Sequence, residues 1–405
     1  MSGHQTDFMA ADTYPLAGLR VLDLSRVLAG PYMGRMLSDL GAEVVKVEPP
    51  EGDVTRYWGK VVGGLSGYFT QQNVGKRNVS IDLRVPAGPE LVRELASKAD
   101  VLLENFRPGV LKQYDLDFPR LSEVNPKLIM VSISGFGQTG PEAYRPAYAP
   151  VVHAEAGVVD RLRPLKGGPF VDPRLSFADM NAALHGLVGL LSALHMRART
   201  GRGQHIDIAM YDTMLATDDY VHSSLDEEPL PHGIASEIWD ATGGPLLLAG
   251  DFRWIWRQLH EVHGLADPTP QGADLKTKIR CRREAVAGYL CGFDRAEQLD
   301  DALVKAGLAF GRVQATPQAI KSPTMQHRGS IVEVDDRVGG KRRVIQSPYR
   351  FSHASSGARA WGAAHRGEHN VAVLTDWLGY SEARVDALKE AGVLLAAERD
   401  GEQDE

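Results

Sequence analysis

Asp179 lies in the run SFADMNAALHGLVGLL, at the head of a long apolar segment. An aspartate at that place has two chemical uses. It can cap a helix, because a side-chain oxygen accepts an orphan N–H of the first turn. It can also attack an activated carbonyl and carry a covalent intermediate, since a carboxylate beside a Gly/Pro-rich loop is a plausible nucleophile. The helix N-terminus favours the ionised form in either role, and one residue can serve both. The run A-G-P-Y-M-G at 29–34 follows a strand-like stretch and opens a helix-like one. Such a turn can aim N–H groups at a phosphate, but it is neither G-x-G-x-x-G nor a P-loop and reads first as a helix start. Lys76, Arg77, Arg84 and Arg107 fall near strand ends. They form a solvated face, or they balance a polyanionic ligand, whose terminal phosphate suits the fixed donor fork of arginine. The 13 histidines show no metal spacing, and H-E-x-x-H and G-x-S-x-G are both absent. Metallo-hydrolysis and Ser/His/Asp hydrolysis therefore have no support. His185 and His195 read as packed core or rim residues. The only cysteines, Cys281 and Cys291, give neither a disulfide scaffold nor a zinc quartet and read as buried free thiols.

The elements that must position these residues are legible as periodicity. LRVLDL (19–24), AEVVKVE (42–48), NVSIDL (78–83), DVLLENF (100–106) and KLIMVSIS (127–134) read as strands, with helical spacing at 30–41 and 86–99. Strands alternating with helices predict β-α-β units, an open, mostly parallel sheet and helices on both faces. Ligands then bind beyond the carboxyl ends of the strands, here Ser25–Leu28, Glu48-Pro49, Asn105–Arg107 and Ser134–Gly137. Met180–Ala198 is apolar nearly all round and is expected to be a buried helix. The stretch 222–240 is acidic and carries Pro229, Pro231 and Gly233, which suits a linker; a smaller α+β unit follows. A hairpin is expected around Gly339-Gly340, and an amphipathic helix at 378–394 with Ser381 as N-cap. Residues 1–14 read as a frayed arm and the final DGEQDE as disordered.

Composition narrows the function. The chain has 405 residues, enough for two domains, and 43% of them are hydrophobic, which marks a folded protein. A net charge of −7 leaves no basic excess for nucleic acid. No stretch is expected to reach the roughly 18 apolar residues of a membrane helix, and the N-terminus lacks a signal-peptide pattern. A cytoplasmic protein is expected.

Several separated blocks resemble one family over about Pro15 to Leu394: PLAGLRVLDLSRVLAGPYMGRMLSDLGAEVVKVEPPEGDVTR, NVGKRNVSIDLR, ADVLLENFRPGVL, NPKLIMVSISGFGQTGP, the Asp179 helix with TGRGQHIDIAMYD, and RGEHNVAVLTDWLGYSEARV. In order and spacing they are similar to class III coenzyme A transferases of the CaiB/BaiF type, the family of formyl-CoA:oxalate transferase and carnitine CoA-transferase. The resemblance implies an α/β chain with a large Rossmann-like open parallel-sheet domain and a smaller α+β domain. The chain would be ring-like and form an interlocked homodimer. The large domain would take residues 1–215 and, after a linker at 216–229 and the small domain at 230–325, the returning segment 326–405.

The resemblance also implies roles. Asp179 would attack an acyl-CoA thioester, pass through a mixed anhydride to an aspartyl-CoA thioester, and hand CoA to a carboxylic acid. No metal or redox cofactor would be needed beyond the CoA substrate. CoA would be held by Leu28, Ala29, Asp82, Leu83, Arg84, Asn105, Phe106 and Arg107, and the acyl pocket lined by Tyr68 and Tyr148. Leu28 and Ala149 stand where the formyl enzyme has Gln and a carboxylate is common, so a less polar pocket and a larger acyl group are expected. The glycine-rich lid of the formyl enzyme has no counterpart around Gly243-Gly244. Two other readings remain at this stage. One is an α-methylacyl-CoA racemase, for which Tyr148 occupies the histidine position. The other is a non-catalytic CoA-binding protein.

Overall fold

The computed structural model describes residues 13–163, 168–225 and 236–395. Residues 1–12 of the expected arm, residues 226–235 of the expected linker region and the acidic tail thus fall outside the described residues. The chain divides into two compact units, one comprising Met1–Asp219 with Gly329–Glu405 and the other Tyr220–Arg328.

The first unit is built on six strands: β1 (Arg20–Asp23), β2 (Glu43–Glu48), β3 (Arg77–Ser80), β4 (Val101–Glu104), β5 (Ile129–Ser134) and β6 (Gln204–Ala209). Between them run α1 (Ala29–Asp39), α2 (Gly67–Asn73), α3 (Ala87–Lys98), α4 (Ala149–Glu155) and α5 (Phe177–Thr200), with α6 (Met210–Ala216) after β6. The spatial order is β3-β2-β1-β4-β5-β6, and every pairing is parallel. Register is fixed by rows such as Val21 opposite Val44 on one side and Val101 on the other. Parallel strands are covered on both faces, which is why VLLE and IMVSIS are buried throughout. One face packs Leu22, Leu102 and Met130 against α3. The other packs Val21, Val101 and Val131 against α1 and α5.

α5 departs from expectation in two ways. It is not buried all round: Ala182, Ala183, Leu187 and Leu190 pack, while Leu184, Val188 and Met196 are 42%, 64% and 52% exposed. His195 is exposed and His185 half-buried, so neither is a core residue. By length and composition the helix is also apolar enough to cross a membrane, contrary to the expectation that no stretch would be; its packed face is that of a core helix.

After the second unit, the chain returns as a hairpin of β10 (Ile331–Asp335) and β11 (Lys341–Ile345), then α10 (Asn370–Leu378) and α11 (Glu382–Glu390). In the first unit α10 closes the sheet face beside β3, where Asn370 accepts the Ser80 N–H at 3.0 Å. Leu394 bridges to Ile81, and Ser381 caps α11 as expected. The second unit holds an antiparallel sheet of β7 (Ser236–Trp239), β8 (Leu246–Ala249) and β9 (Ala309–Arg312). It packs on α7 (Phe252–His263), α8 (Leu275–Leu290) and α9 (Ala296–Lys305) through Trp256, Leu290 and Leu303. Cys281 is buried there, but Cys291, the residue after α8, is exposed rather than buried.

Candidate active site

The strand order reverses between β1 and β4, and in open α/β sheets the crevice at such a switch point binds ligands. Two loops meet there. Asn105, just after β4, accepts the Arg26 N–H at 2.7 Å and donates to the Arg26 carbonyl at 2.8 Å. Glu104 stiffens the same loop by accepting the Phe106 N–H at 2.8 Å, and burial pushes its carboxyl up to about 7. Val27 is held at φ 66°, in the left-handed region that disfavours a β-branched residue. Its N–H donates to Asp53 at 3.1 Å. Burial opposes the charge on Asp53, but Lys46 and the Thr55 N–H outweigh it and hold the carboxyl at about 2.

Beneath the loops lies a buried ion network. Lys76 donates to Asp23 and to the Pro31 carbonyl, each at 2.8 Å, and Lys46 donates to the Ser25 carbonyl at 2.8 Å. Arg77 pairs with Glu43 and Asp376. Lys76 and Arg77 are thus consumed inside the fold, forming neither a solvated face nor a ligand site. Gly30 permits this closeness: a Cβ on it would stand 2.1 Å from the Ser25 Cβ.

Two clefts open over the crevice. The first, of about 190 Å³, is lined by Leu24, Ile81, Asp82, Leu83, Arg84 and Phe106 among others. The apolar walls suit a flat ring and the charged rim its phosphates. Arg84 is exposed and tied to Asp82 and Glu51 at 2.8 and 2.7 Å. The second cleft, of about 380 Å³, is lined by Ala29, Asn105, Arg107, Arg145, Tyr148 and Asp179. Arg26 and Phe106 line both. The guanidinium groups of Arg26 and Arg107 make no hydrogen bond or ion pair with the described residues. Leu28 precedes α1, is buried at 4% exposure and lines neither cleft.

Asp179 is not an N-cap. Ser176 holds that position, and Asp179 sits in the first turn of α5. Burial raises its carboxyl to about 6, against the opposing pull of the Ala149 and Ala29 N–H groups that face it. These N–H groups open α4 and α1, so three helix N-termini converge on one carboxylate. Gly135 lets the approach to α4 run close, since a Cβ there would lie 2.3 Å from that of Ala147. Tyr148 precedes α4 and is exposed at 69%. Tyr68, in α2, has its phenol pushed up to about 12 by burial and by the charges of Asp179 and Asp53. The structure therefore brings Asp179, Tyr68, Tyr148, Ala29, Asn105 and Arg107 together, and places Asp82, Leu83 and Arg84 in the neighbouring cleft, with Phe106 lining both clefts. Arg26, which lines both clefts, was not singled out among the candidate site residues, although it lies in the strand end Ser25–Leu28 where a ligand was expected. Among the described residues no cluster of three or more His, Cys, Asp or Glu could hold a metal ion.

Comparison with known proteins agrees with this geometry. Residues 16–370 match the family described as CoA-transferase family III. The chain is 43% identical over 359 residues to an acetyl-CoA:oxalate CoA-transferase of Acetobacter aceti, covering 85% of this chain and 92% of that protein. It is 40% identical over 404 residues to the beta subunit of a succinyl-CoA–L-malate CoA-transferase of Chloroflexus aurantiacus, covering 94% and 98%. Among solved structures, a CaiB/BaiF family protein from Brucella suis matches with a TM-score of 0.77 at 32% identity, covering 90% of this chain and 100% of that one. The chain is a CoA-transferase and belongs to CoA-transferase family III.

Proposed function

We propose that this enzyme moves CoA from a short acyl-CoA to a carboxylic acid through covalent intermediates on Asp179. The observation that carries the reading is the Asp179 carboxylate, half-buried at a cleft wall and raised to about 6, so that it is ionised near neutral pH yet poorly solvated. A carboxylate oxygen of Asp179 attacks the thioester carbon; the C–S bond breaks, giving a mixed anhydride and CoA thiolate. The thiolate attacks the aspartyl carbonyl and expels the donor acid as its carboxylate, leaving an aspartyl-CoA thioester. The acceptor carboxylate then attacks the aspartyl carbonyl, releasing thiolate, which takes the acceptor acyl group and frees Asp179. No net proton or electron is exchanged, so the reading calls for no metal or redox cofactor. The N–H groups of Ala29 and Ala149 are placed to stabilise charge as it moves between Asp179 and the tetrahedral carbons. Arg26 and Arg107, unpaired among the described residues, suit the diphosphate, and the first cleft suits the adenine end.

The relatives' names, oxalate and malate among the acceptors, favour a short dicarboxylic acid as acceptor. Their donors, acetyl- and succinyl-CoA, agree with an acyl group larger than formyl. Racemisation is disfavoured because, among the described residues, no free acid/base histidine faces Asp179: both nitrogens of nearby His153 are occupied, by Asp172 at 2.9 Å and the Ala178 N–H at 3.2 Å. The bare Leu184, Val188 and Met196 stripe of α5 supports a homodimer, in which a second chain covers it. A cytoplasmic location follows from a substrate too highly charged to cross membranes unaided. The test is CoA exchange followed by mass spectrometry over a panel of acyl-CoAs and acids. Exchange onto short dicarboxylates that is abolished in Asp179→Asn is expected; incorporation of solvent deuterium at the α-carbon without an acceptor acid would favour the racemase.

A further inference from the structure

We propose that His153 and Asp172 form a positioning pair that replaces the missing cap of α5 and thereby aims Asp179. The helix starts without a side-chain cap, since Ser176 makes no capping hydrogen bond. The N–H of Ala178, in the first turn, would then be an orphan donor. Ala178 is fully buried, so water does not satisfy it. His153 does: its Nε2 accepts that N–H at 3.2 Å. An accepting Nε2 places the ring proton on Nδ1, which donates to Asp172 at 2.9 Å. Asp172 thereby selects the tautomer, and the imidazole is wholly buried with the Phe177 ring 6.2 Å away.

The position of His153 makes this contact matter. It belongs to α4, the helix whose opening N–H at Ala149 faces the Asp179 carboxylate. Ala178 is the residue before Asp179. One hydrogen bond thus ties the helix that supplies a donor to the helix that supplies the carboxylate. Loosening it shifts carboxylate and donor relative to each other, and a misplacement near 1 Å costs on the order of 100-fold in rate.

This inference rests on Asp179 as nucleophile, and the experiment separates the two. Asp179→Asn is measured first; if it turns over, the nucleophile reading fails whatever His153 does. With that variant inactive, His153→Leu removes the acceptor and keeps bulk, His153→Gln keeps an acceptor in the amide oxygen, and Asp172→Ala frees the tautomer from an accessible loop. In His153→Leu, kcat per folded site falls about 10- to 100-fold. CoA binding and the KM for acyl-CoA stay within about twofold of wild type. His153→Gln recovers most of kcat, and Asp172→Ala falls between. A His153→Leu enzyme with wild-type kcat, or a His153→Gln enzyme as impaired as His153→Leu, overturns the proposal. Should His153→Leu fail to fold, Asp172→Ala decides: a kcat reduced about fivefold or more with unchanged KM supports the pair, and wild-type kcat refutes it.

Discussion

Lowering the pH should switch off the first half-reaction well above the range in which an ordinary aspartate titrates. In the proposed mechanism the nucleophile is the ionised carboxylate, so the rate follows the ionised fraction of Asp179. Burial raises that group from 3.8 to about 6. At pH 7 it is about nine-tenths ionised and at pH 5 about one-tenth, so the rate should drop about tenfold between them. A carboxyl left at its ordinary value would change the rate by less than about 10% over the same interval. The assay is single-turnover release of the donor acid from acyl-CoA, which needs no acceptor and avoids the acceptor's own titration. Glu104 lies behind the same crevice and is pushed up to about 7, so the profile is also measured in Glu104→Gln. The midpoint near 6 must survive that substitution. Tyr68, at about 12, and Asp53, at about 2, do not titrate in this window. A flat rate from pH 5 to pH 7, or a midpoint that vanishes with Glu104, would refute the reasoning.

Three further outcomes follow. A folded-state carboxyl raised above its unfolded value favours folding below pH 4 relative to higher pH, and that advantage is lost as pH rises through about 6. Asp179→Asn should therefore stabilise the protein at pH 8 by at most about 3 kcal/mol, a gain that fades toward pH 4 in denaturant titrations. Arg26→Ala and Arg107→Ala should each raise the KM for acyl-CoA about tenfold and flatten its salt dependence, with kcat little changed; an unaltered KM would remove them from the CoA site. Lys76→Met should cost about 3–5 kcal/mol in unfolding free energy, because it strands the buried Asp23 beside Lys46 alone. A loss under about 1 kcal/mol would show that the network contributes little.

The parallel sheet was legible because its central strands VLLE and IMVSIS are apolar-rich runs that alternate with stretches of helical spacing. Contacts between distant segments were not. Asp179 could be singled out locally, but not the N–H groups of Ala29 and Ala149 that face its carboxylate, because they come from elsewhere in the chain. Lys76 and Arg77 looked like surface charge or ligand-binding charge, since sequence gives a charge without its partner; Asp23, Glu43 and Asp376 supply the partners. The α5 helix was read as buried because composition does not distinguish a face packed on its own sheet from one left for another surface. Its Leu184 and Val188 are exposed in this structure.

The proposed mechanism depends on a covalent bond to one side chain. The most direct measurement incubates the enzyme with acyl-CoA and no acceptor, traps the product with hydroxylamine or borohydride, and maps the modified peptide by mass spectrometry. Modification is expected at Asp179 and is abolished in Asp179→Asn. Trapping at any other residue, or sustained CoA exchange by an enzyme that never becomes labelled, would contradict it.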